Sequence, residues 1–209
     1  YIVGTFFGPD FQSWLSVLDI STPTNPNQVG YYETTEQEFA QDVAVSGDCV
    51  YIVTNEGVRI VDISNPANPT EIGYYRVAMQ EYVYDATIIG DYVYVAAGSY
   101  GLRVVDVSAP ASPTEVSFYE TAGSVQGVHI SGDVAYVAAG EGGLRVVDIS
   151  DPTRPTEMGY LDTLGNVQGV TVTGSYAYLV DHGGGLRVVN ILDPAAPVGI
   201  GFYDTLGED

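Results

Sequence analysis

Short runs of alternating apolar and polar residues recur along this chain at a nearly constant distance. The clearest run, LRVVDIS at 144–150, has close copies at 14–21, 58–64, 102–108 and 186–192. One acid or amide holds the same place in every copy, at spacings of 42 to 44 residues: Asp19, Asp62, Asp106, Asp148 and Asn190. Self-similarity at this period is typical of a repeat protein, so the repeat must be defined before any residue is assigned a role.

Each repeat divides into four short β patterns. In the most regular repeat, an alternating run ends at a Gly-Asp turn, and the next run completes a tight hairpin. A glycine-rich link leads to a third run rich in valine and isoleucine, and prolines separate that run from a fourth. These runs predict strands at 125–131, 134–138, 144–150 and 157–162. Four antiparallel strands at this period predict one blade of an all-β propeller.

The count of blades follows from the count of repeats. We predict a single β-propeller domain of five four-stranded repeats, the first of which lacks its inner strand. The approximate repeats are 1–36, 37–79, 80–122, 123–164 and 165–209. The strand with the pattern GV-x-V-SGD begins near Ala40, Val83, Val125 and Val167 but has no copy in the first repeat. The missing strand would come from chain beyond Asp209 or from another molecule, and an unpaired strand edge favours association.

Other recurring residues have an architectural interpretation. A tyrosine holds one position in the second strand, and an arginine holds one position in the third. We expect the tyrosines to pack between blades and the arginines to pair with carboxylates such as Glu120 or Asp162. The Asp-x-Ser-x-Pro corner predicts a side-chain oxygen that caps backbone amides. The residues are Tyr1, Tyr51, Tyr94, Tyr136 and Tyr178, and Arg59, Arg103, Arg145 and Arg187.

The combined motif resembles a known family. The run LRVVDIS-(D/N)P-x-x-P, followed by GY-x-(D/E)T and V-x-GV-x-(V/I)-S-GD-x-AYVA, is similar to the LVIVD repeat over nearly the whole chain. That resemblance implies a β-propeller found in secreted and cell-surface proteins of bacteria and archaea. It therefore implies an extracellular or cell-surface location in a prokaryote. The family has no common catalytic motif, so the resemblance transfers no catalytic residue.

An aromatic insertion marks the first repeat. About six extra residues separate its second and third strands, and the segment carries Phe6, Phe7 and Phe11 before Trp14, the only tryptophan. These side chains either fold back over the edge of the blade or form an anchor for a protein partner, because aromatic residues dominate interface hot spots.

Charge limits the partners. The chain carries 27 acidic and 6 basic residues, all arginine, for a net charge of −21. Such a surface repels phosphate backbones and anionic lipids, so we predict no nucleic-acid binding. No apolar run is long enough to span a membrane, so no membrane insertion is predicted. The single cysteine, Cys49, lies in an alternating run and is predicted to be a buried thiol.

Candidate chemistry is sparse. No His or Cys spacing matches a zinc site, and His129 and His182, the latter in a predicted turn, lack a partner serine in a recognised motif. Two inner strands carry Asp42 and Asp85 where two others carry glycine. These carboxylates would approach a central channel with His129, where they could hold calcium or accept backbone amides. We assign no catalytic residue, no confident cofactor and no transition metal.

Two function classes remain. The first is a non-catalytic extracellular module for adhesion, scaffolding or protein interaction, including self-assembly into a surface layer or filament. The second is a secreted enzyme, such as a metal-assisted hydrolase around Asp42, Asp85 and His129. Propellers host both classes, so the fold alone does not decide. The scattered polar candidates favour the first class, because catalysis needs a convergent cluster.

Overall fold

All regular structure in the computed structural model is β-strand across the residues that it describes, 13–34, 38–77 and 82–205. The chain forms two compact units, one of residues 1–83 with 107–114 and the other of the remainder. The fold class is an all-β propeller of four-stranded repeats, as the spacing of the sequence predicts.

The first unit carries two antiparallel sheets. The first sheet pairs β1 (Trp14–Asp19) with β2 (Asn27–Glu33). The second sheet has the order β3-β4-β5-β6, with β3 at Ala40–Ser46, β4 at Cys49–Thr54, β5 at Gly57–Asp62 and β6 at Thr70–Arg76. In the first repeat, β1 and β2 are the predicted third and fourth strands. The second strand expected at Tyr1 lies outside the described residues.

The second unit carries three four-stranded antiparallel sheets. The third sheet consists of β7 (Asp85–Ile89), β8 (Tyr92–Ala96), β9 (Leu102–Asp106) and β10 (Thr114–Tyr119). The fourth consists of β11 (Gly127–Ser131), β12 (Val134–Ala138), β13 (Leu144–Asp148) and β14 (Thr156–Leu161). The fifth consists of β15 (Asn166–Thr173), β16 (Tyr176–His182), β17 (Gly185–Asn190) and β18 (Val198–Tyr203). The predicted strands are confirmed to within two residues at each end of the template repeat.

Local chemistry explains the ends of these strands. The hairpin between β11 and β12 turns at Gly132, whose φ of +59° is disfavoured for residues with a side chain. After β13, the Asp148 carboxylate accepts a hydrogen bond from the Ser150 amide at 2.9 Å. The same cap forms at Asp19, Asp62 and Asn190, which confirms the predicted corner. These backbone hydrogen bonds lower the pKa of Asp19, Asp62 and Asp148.

The core lies between consecutive sheets within each unit. In the first unit, Leu15 and Val17 of β1 pack with Val50 and Ile52 of β4. In the second unit, one cluster joins the third and fourth sheets and another joins the fourth and fifth. The repeated tyrosines Tyr51, Tyr94 and Tyr136 are buried, as predicted. The third strand of a repeat is therefore apolar on both faces, which is why β9 and β13 contain consecutive valines.

Candidate interaction site

The acidic residues predicted to line a channel have different surroundings. Asp85 lies on β7, and its Oδ2 accepts a hydrogen bond from the Val128 amide of β11 at 2.9 Å. His129 follows on β11, partly buried and opposite Tyr136. Asp42 is exposed on β3 in the first unit, whereas Asp85 and His129 belong to the second. Asp85 thus accepts a backbone amide, one of the two roles that the sequence left open.

No cluster of three or more His, Cys, Asp or Glu side chains suited to a metal ion occurs among the described residues. Calcium at Asp42 or Asp85 stays a prediction.

The predicted aromatic anchor falls mostly outside the described residues, since Phe6, Phe7 and Phe11 precede residue 13. Trp14 begins β1 opposite Glu33 and is partly buried. The adjacent Ser13 is buried, and its carbonyl accepts hydrogen bonds from the amide and the hydroxyl of Thr34, at 2.8 and 2.9 Å. The start of β1 is therefore tied to the end of β2.

Two sequence-based expectations are corrected. Cys49 is partly rather than fully buried, because it opens β4 beside the turn that carries Asp48; burial, followed by nearby Asp62 and Asp48, raises the pKa of its thiol. His182 ends β16 rather than lying in a turn, because pairing between Asp181 and Gly185 extends the hairpin. Next to His182, Asp181 is only 1% exposed and forms an ion pair with Arg187.

The arginines of the third strands organise polar clusters within single units. Arg59 of β5 is held by Glu38 and Glu71, and its guanidinium carbon lies 4.3 Å from the centre of the Tyr74 ring. Burial, then the neighbouring Glu38 carboxylate, raises the pKa of Tyr74. Arg145 pairs with Asp162 at 2.9 Å and Arg103 pairs with Glu115 at 3.3 Å, so both arginines meet carboxylates of their own repeats, as predicted. Glu115 and Arg103 meet because they lie on the adjacent strands β10 and β9.

Consecutive sheets also meet through their fourth strands. A Cβ placed on Gly159 of β14 would lie 2.4 Å from the carbonyl oxygen of Pro194, in the turn of the next repeat. Gly30 and Gly73 approach the carbonyls of Pro66 and Pro110 in the same way in the first unit. At the matching place on β10, the Ser117 hydroxyl donates a hydrogen bond to the Pro152 carbonyl at 2.5 Å. A glycine or serine at this place thus admits the proline turn of the next repeat.

A second contact between fourth strands lies two residues further along. Tyr32 of β2 donates its hydroxyl to the Glu71 carboxylate of β6, and Tyr119 of β10 donates to Glu157 of β14. Burial, reinforced by these carboxylates, raises the pKa of both tyrosines. Between the fourth and fifth sheets both residues differ. Leu161 of β14 stands in place of the tyrosine, and Gly199 of β18 stands in place of the glutamate. A Cβ at Gly199 would lie 3.8 Å from Leu161 Cδ2, so that pair is complementary and apolar.

One face of the fifth sheet is uncovered where its counterparts are buried. We call this surface the open face and define it as Tyr178, Val180, Leu186, Val188, Gly201 and Tyr203. Val180 is 56% exposed and Leu186 is 38% exposed. Every residue at the two matching positions in the second, third and fourth sheets is buried: Val53, Ala96 and Ala138, and Val58, Leu102 and Leu144. Contiguous exposed apolar surface of this kind is typical of an interaction site.

Two further features of the open face distinguish it. Tyr203, at the position of Tyr32 and Tyr119, is 70% exposed. Among the described residues, no atom lies within 4 Å of a Cβ added at Gly201, in contrast to the crowded Gly159. Phe202 is also exposed, but so are its counterparts Tyr31, Phe118 and Tyr160, so its exposure carries no special meaning. Alignment of the five repeats identifies the equivalent positions, but no sequence signal marks the open face, because Leu144 and Leu186 have matching local sequences and different burial.

A second exposed surface belongs to the first repeat. We call it the first-repeat surface and define it as Leu18, Ile20, Pro23 and Gln28. Ile20 is 52% exposed, whereas the residues at the matching position are buried in all four later repeats: Ile63, Val107, Ile149 and Ile191. An open cleft of about 730 Å³ lies beside Leu18 and Ile20 and is bounded by Val29 and Pro66.

Comparison with known proteins agrees with this architecture. The profile of the LVIVD repeat matches residues 9–34, 39–77, 82–121, 122–163 and 164–205. Comparison with curated protein sequences finds no match. No helix in the described part of the chain is long and apolar enough to cross a membrane.

Three solved structures share the fold at low identity. The computationally designed Ika8 protein has a TM-score of 0.61 at 13% identity, covering 79% of this chain and 49% of its own. The computationally designed Ika4 protein has a TM-score of 0.59 at 14% identity, and the match covers 75% of this chain and 93% of the Ika4 chain. A chain from the S. cerevisiae complex of dbp5 with nup159, gle1, IP6 and ADP has a TM-score of 0.56 at 10% identity, covering 80% and 48%. The chain spans about half the length of the first and third, and these likenesses concern the fold alone.

Proposed function

Because this chain belongs to the LVIVD-repeat family, we propose that it is a non-catalytic protein-interaction module that binds a protein through the open face of its fifth sheet. One observation carries the proposal: Val180 and Leu186 are exposed on this face, whereas the matching positions are buried in the second, third and fourth sheets. Burying such positions against a protein is favourable by about 25 cal/mol for each Å² of apolar surface removed from water. A polar ligand would not provide apolar surface to cover these positions.

The setting that we propose is extracellular or on the surface of a prokaryotic cell. The net charge of −21 supports it, because a strongly acidic surface remains soluble and resists nonspecific association. The same charge disfavours binding to nucleic acid. A structural role such as adhesion or scaffolding fits a rigid blade that presents one apolar face.

The catalytic alternative is a metal-assisted hydrolase around Asp42, Asp85 and His129. Asp85 is engaged by the Val128 amide at 2.9 Å, which supports a structural use for that carboxylate. This contact favours the interaction module over the enzyme.

Site-specific photo-crosslinking tests the proposal. A photoreactive phenylalanine derivative replaces Tyr203 on the open face or, as the control, Tyr160, an exposed aromatic residue at a different place on the fourth sheet. Incubation with surface and secreted proteins of the source cells should give a protein adduct from position 203, with either a foreign protein or a second copy. The adduct should disappear when Val180→Asp is added. Equal adducts from both positions, or no protein adduct from position 203, would contradict the proposal.

A further inference from the structure

We propose that Arg145 of the fourth sheet binds the carboxylate of a sugar acid such as a uronic acid. This site does not involve the open face, because Arg145 lies on β13, in a sheet that packs against both the third and the fifth sheets. The starting point is one atom: Nε of Arg145 is buried and has no hydrogen-bond partner among the described residues. Buried donors are almost always paired, so a bound group is expected at this atom.

Two other arginines at the same position of the repeat have a carboxylate at this nitrogen. In the second sheet, Glu38 accepts hydrogen bonds from Nε and Nη2 of Arg59, at 2.5 and 2.7 Å. In the fifth sheet, Asp181 accepts a hydrogen bond from Nε of Arg187. Glu38 precedes the first strand of its repeat, whereas Asp181 lies on the second strand. The fold therefore supplies a carboxylate to the same nitrogen from two different places. For Arg103, the residue at the place of Glu38 is outside the described residues.

The fourth sheet supplies a carboxylate from neither place. The position before the first strand is Gly123, and the position on the second strand is Ala139. These two positions adjoin: a Cβ on Gly123 would lie 2.0 Å from the Ala139 carbonyl oxygen, as one on Gly165 would lie 2.0 Å from Oδ1 of Asp181. Neither glycine nor alanine has a side-chain acceptor, so the carboxylate at Nε of Arg145 must come from a ligand.

The other nitrogens of Arg145 allow an anion to bind. Nη2 donates to Asp162 at 2.9 Å, and Nη1 lies 3.9 Å from Glu157, too far for a hydrogen bond. The side chain of Asp162 is 66% exposed, so it can leave the guanidinium for water. A ligand carboxylate in its place can accept from Nε and Nη2 together, as Glu38 does in the second sheet. Arg145 would then have two acidic neighbours, the number that Arg59 has.

The ring of Tyr160 indicates the kind of acid. The guanidinium carbon of Arg145 lies 4.8 Å from the centre of this ring, and Tyr160 is 54% exposed. The ring thus offers apolar surface beside the guanidinium. Asp162 and Glu157 are acceptors only when ionised, so hydroxyl groups of a ligand can donate to them. A uronic acid combines a carboxylate, hydroxyl donors and a C–H ring face. An acidic side chain of a peptide has neither the hydroxyl groups nor the ring.

NMR of the arginine side chains tests the inference. The chain has six arginines and no lysine, so the Nε–H signals are few and can be assigned by substitution. Glucuronate added up to about 50 mM at constant ionic strength should shift the Nε–H signal of Arg145 downfield, towards that of Arg59, because the donor gains an acceptor. Glucose at the same concentration is the control and should leave the signal in place.

Ala139→Asp gives the fourth sheet the carboxylate that Asp181 gives the fifth. The new side chain should fit, because the glycines that adjoin Asp181 have counterparts in the fourth sheet, Gly123 and Gly142. The substitution should shift the Arg145 signal without any ligand. It should also weaken glucuronate binding by at least about tenfold, because the place at Nε is then filled.

Tyr160→Ala tests the ring separately, since an exposed side chain can be truncated without opening the core. It should weaken glucuronate binding by about threefold to tenfold. Phe202→Ala is the matched control. Phe202 pairs with Arg187 in the fifth sheet as Tyr160 pairs with Arg145 in the fourth, but Asp181 already engages Arg187. This variant should bind glucuronate like the wild type.

An Arg145 signal that does not respond to glucuronate, or that responds equally to glucose, would overturn the inference. Undiminished affinity in either Ala139→Asp or Tyr160→Ala would also overturn it. N-acetylglutamate supplies a carboxylate without a sugar ring and should bind more weakly; binding as tight as that of glucuronate would refute the assignment to a sugar acid. None of these results depends on the crosslink at position 203, so this site and the proposed function are tested separately.

Discussion

Arg59 and Glu38 form a two-pronged ion pair that is almost completely removed from water. Nε of Arg59 lies 2.5 Å from Oε2 of Glu38, and Nη2 lies 2.7 Å from Oε1. Arg59 is 5% exposed and Glu38 is 3% exposed. The remaining guanidinium nitrogen, Nη1, donates to Glu71 at 2.6 Å, and the Tyr74 hydroxyl donates to Glu38 at 3.1 Å. Each charge in this cluster is compensated by a neighbour.

Removing one partner of this pair should destabilise the first unit strongly. Arg59→Ala leaves the Glu38 carboxylate buried without its guanidinium, and we expect a loss of about 3–5 kcal/mol in the free energy of unfolding. Arg76→Ala is the control, because the ion pair between Arg76 and Glu56 is largely solvent-exposed and should cost less than about 1 kcal/mol. Urea denaturation of both variants measures the difference, and equal losses would contradict the prediction.

The glycines of the fourth strands should differ in their tolerance of a side chain. Gly159→Val places atoms against the Pro194 carbonyl and should cost about 1–3 kcal/mol, because the neighbouring backbone must shift. Gly201→Val should change the free energy of unfolding by less than about 0.5 kcal/mol, because no atom of the described residues lies within 4 Å of a Cβ at this position. Thermal unfolding of the two variants checks this, and a Gly201→Val variant as unstable as Gly159→Val would refute it.

Asp85 should contribute to stability through its hydrogen bond to β11. Asp85→Ala removes the acceptor of the Val128 amide, and we expect a loss of about 1–3 kcal/mol. Asp42→Ala, in an exposed part of β3, should be nearly neutral. Chemical denaturation separates the two variants. The opposite order of stability would show that Asp85 is not structural.

Stability should fall in alkaline solution because of buried tyrosines. Burial, with smaller contributions from Tyr92 and Asp133, raises the pKa of Tyr94 to about 12, against about 10 in an unfolded chain. The folded state therefore holds the Tyr94 proton more tightly than the unfolded state does. The resulting contribution to the free energy of unfolding is fully present below about pH 10 and decreases as the pH rises towards 12. The chain contains no lysine, so tyrosines dominate titration in this range.

The effect of Tyr94 can be isolated by mutation. Between about pH 10 and 12, the slope of the free energy of unfolding against pH measures the protons released on unfolding. Tyr94→Phe should reduce that number by up to about one. Tyr160→Phe, the same substitution at an exposed position, is the control variant. An identical slope in the wild type and in Tyr94→Phe would refute the assignment.

Repeat geometry was predictable because it depends on short-range pattern. Alternation, the Gly-Asp turn at Gly132 and the corner at Asp148 are local features, and the strands and caps lie where those features indicate. The partners of each arginine were less predictable: Arg145 meets Asp162, but Arg103 meets Glu115. Long side chains choose among nearby carboxylates according to the packing of adjacent strands, which the sequence of one strand does not specify.

The amino-acid sequence by itself determined the period, the four-stranded repeat and the family, because β-strand alternation and turn chemistry act over a few residues. Only the tertiary structure decided which equivalent positions are covered. Leu144 and Leu186 hold the same place in their repeats, yet the first is buried and the second is exposed. Likewise Gly159 and Gly201 occur in matching runs, but only Gly159 faces a proline carbonyl. Burial depends on the neighbouring sheet, and identical local sequences acquire different roles when that neighbour differs.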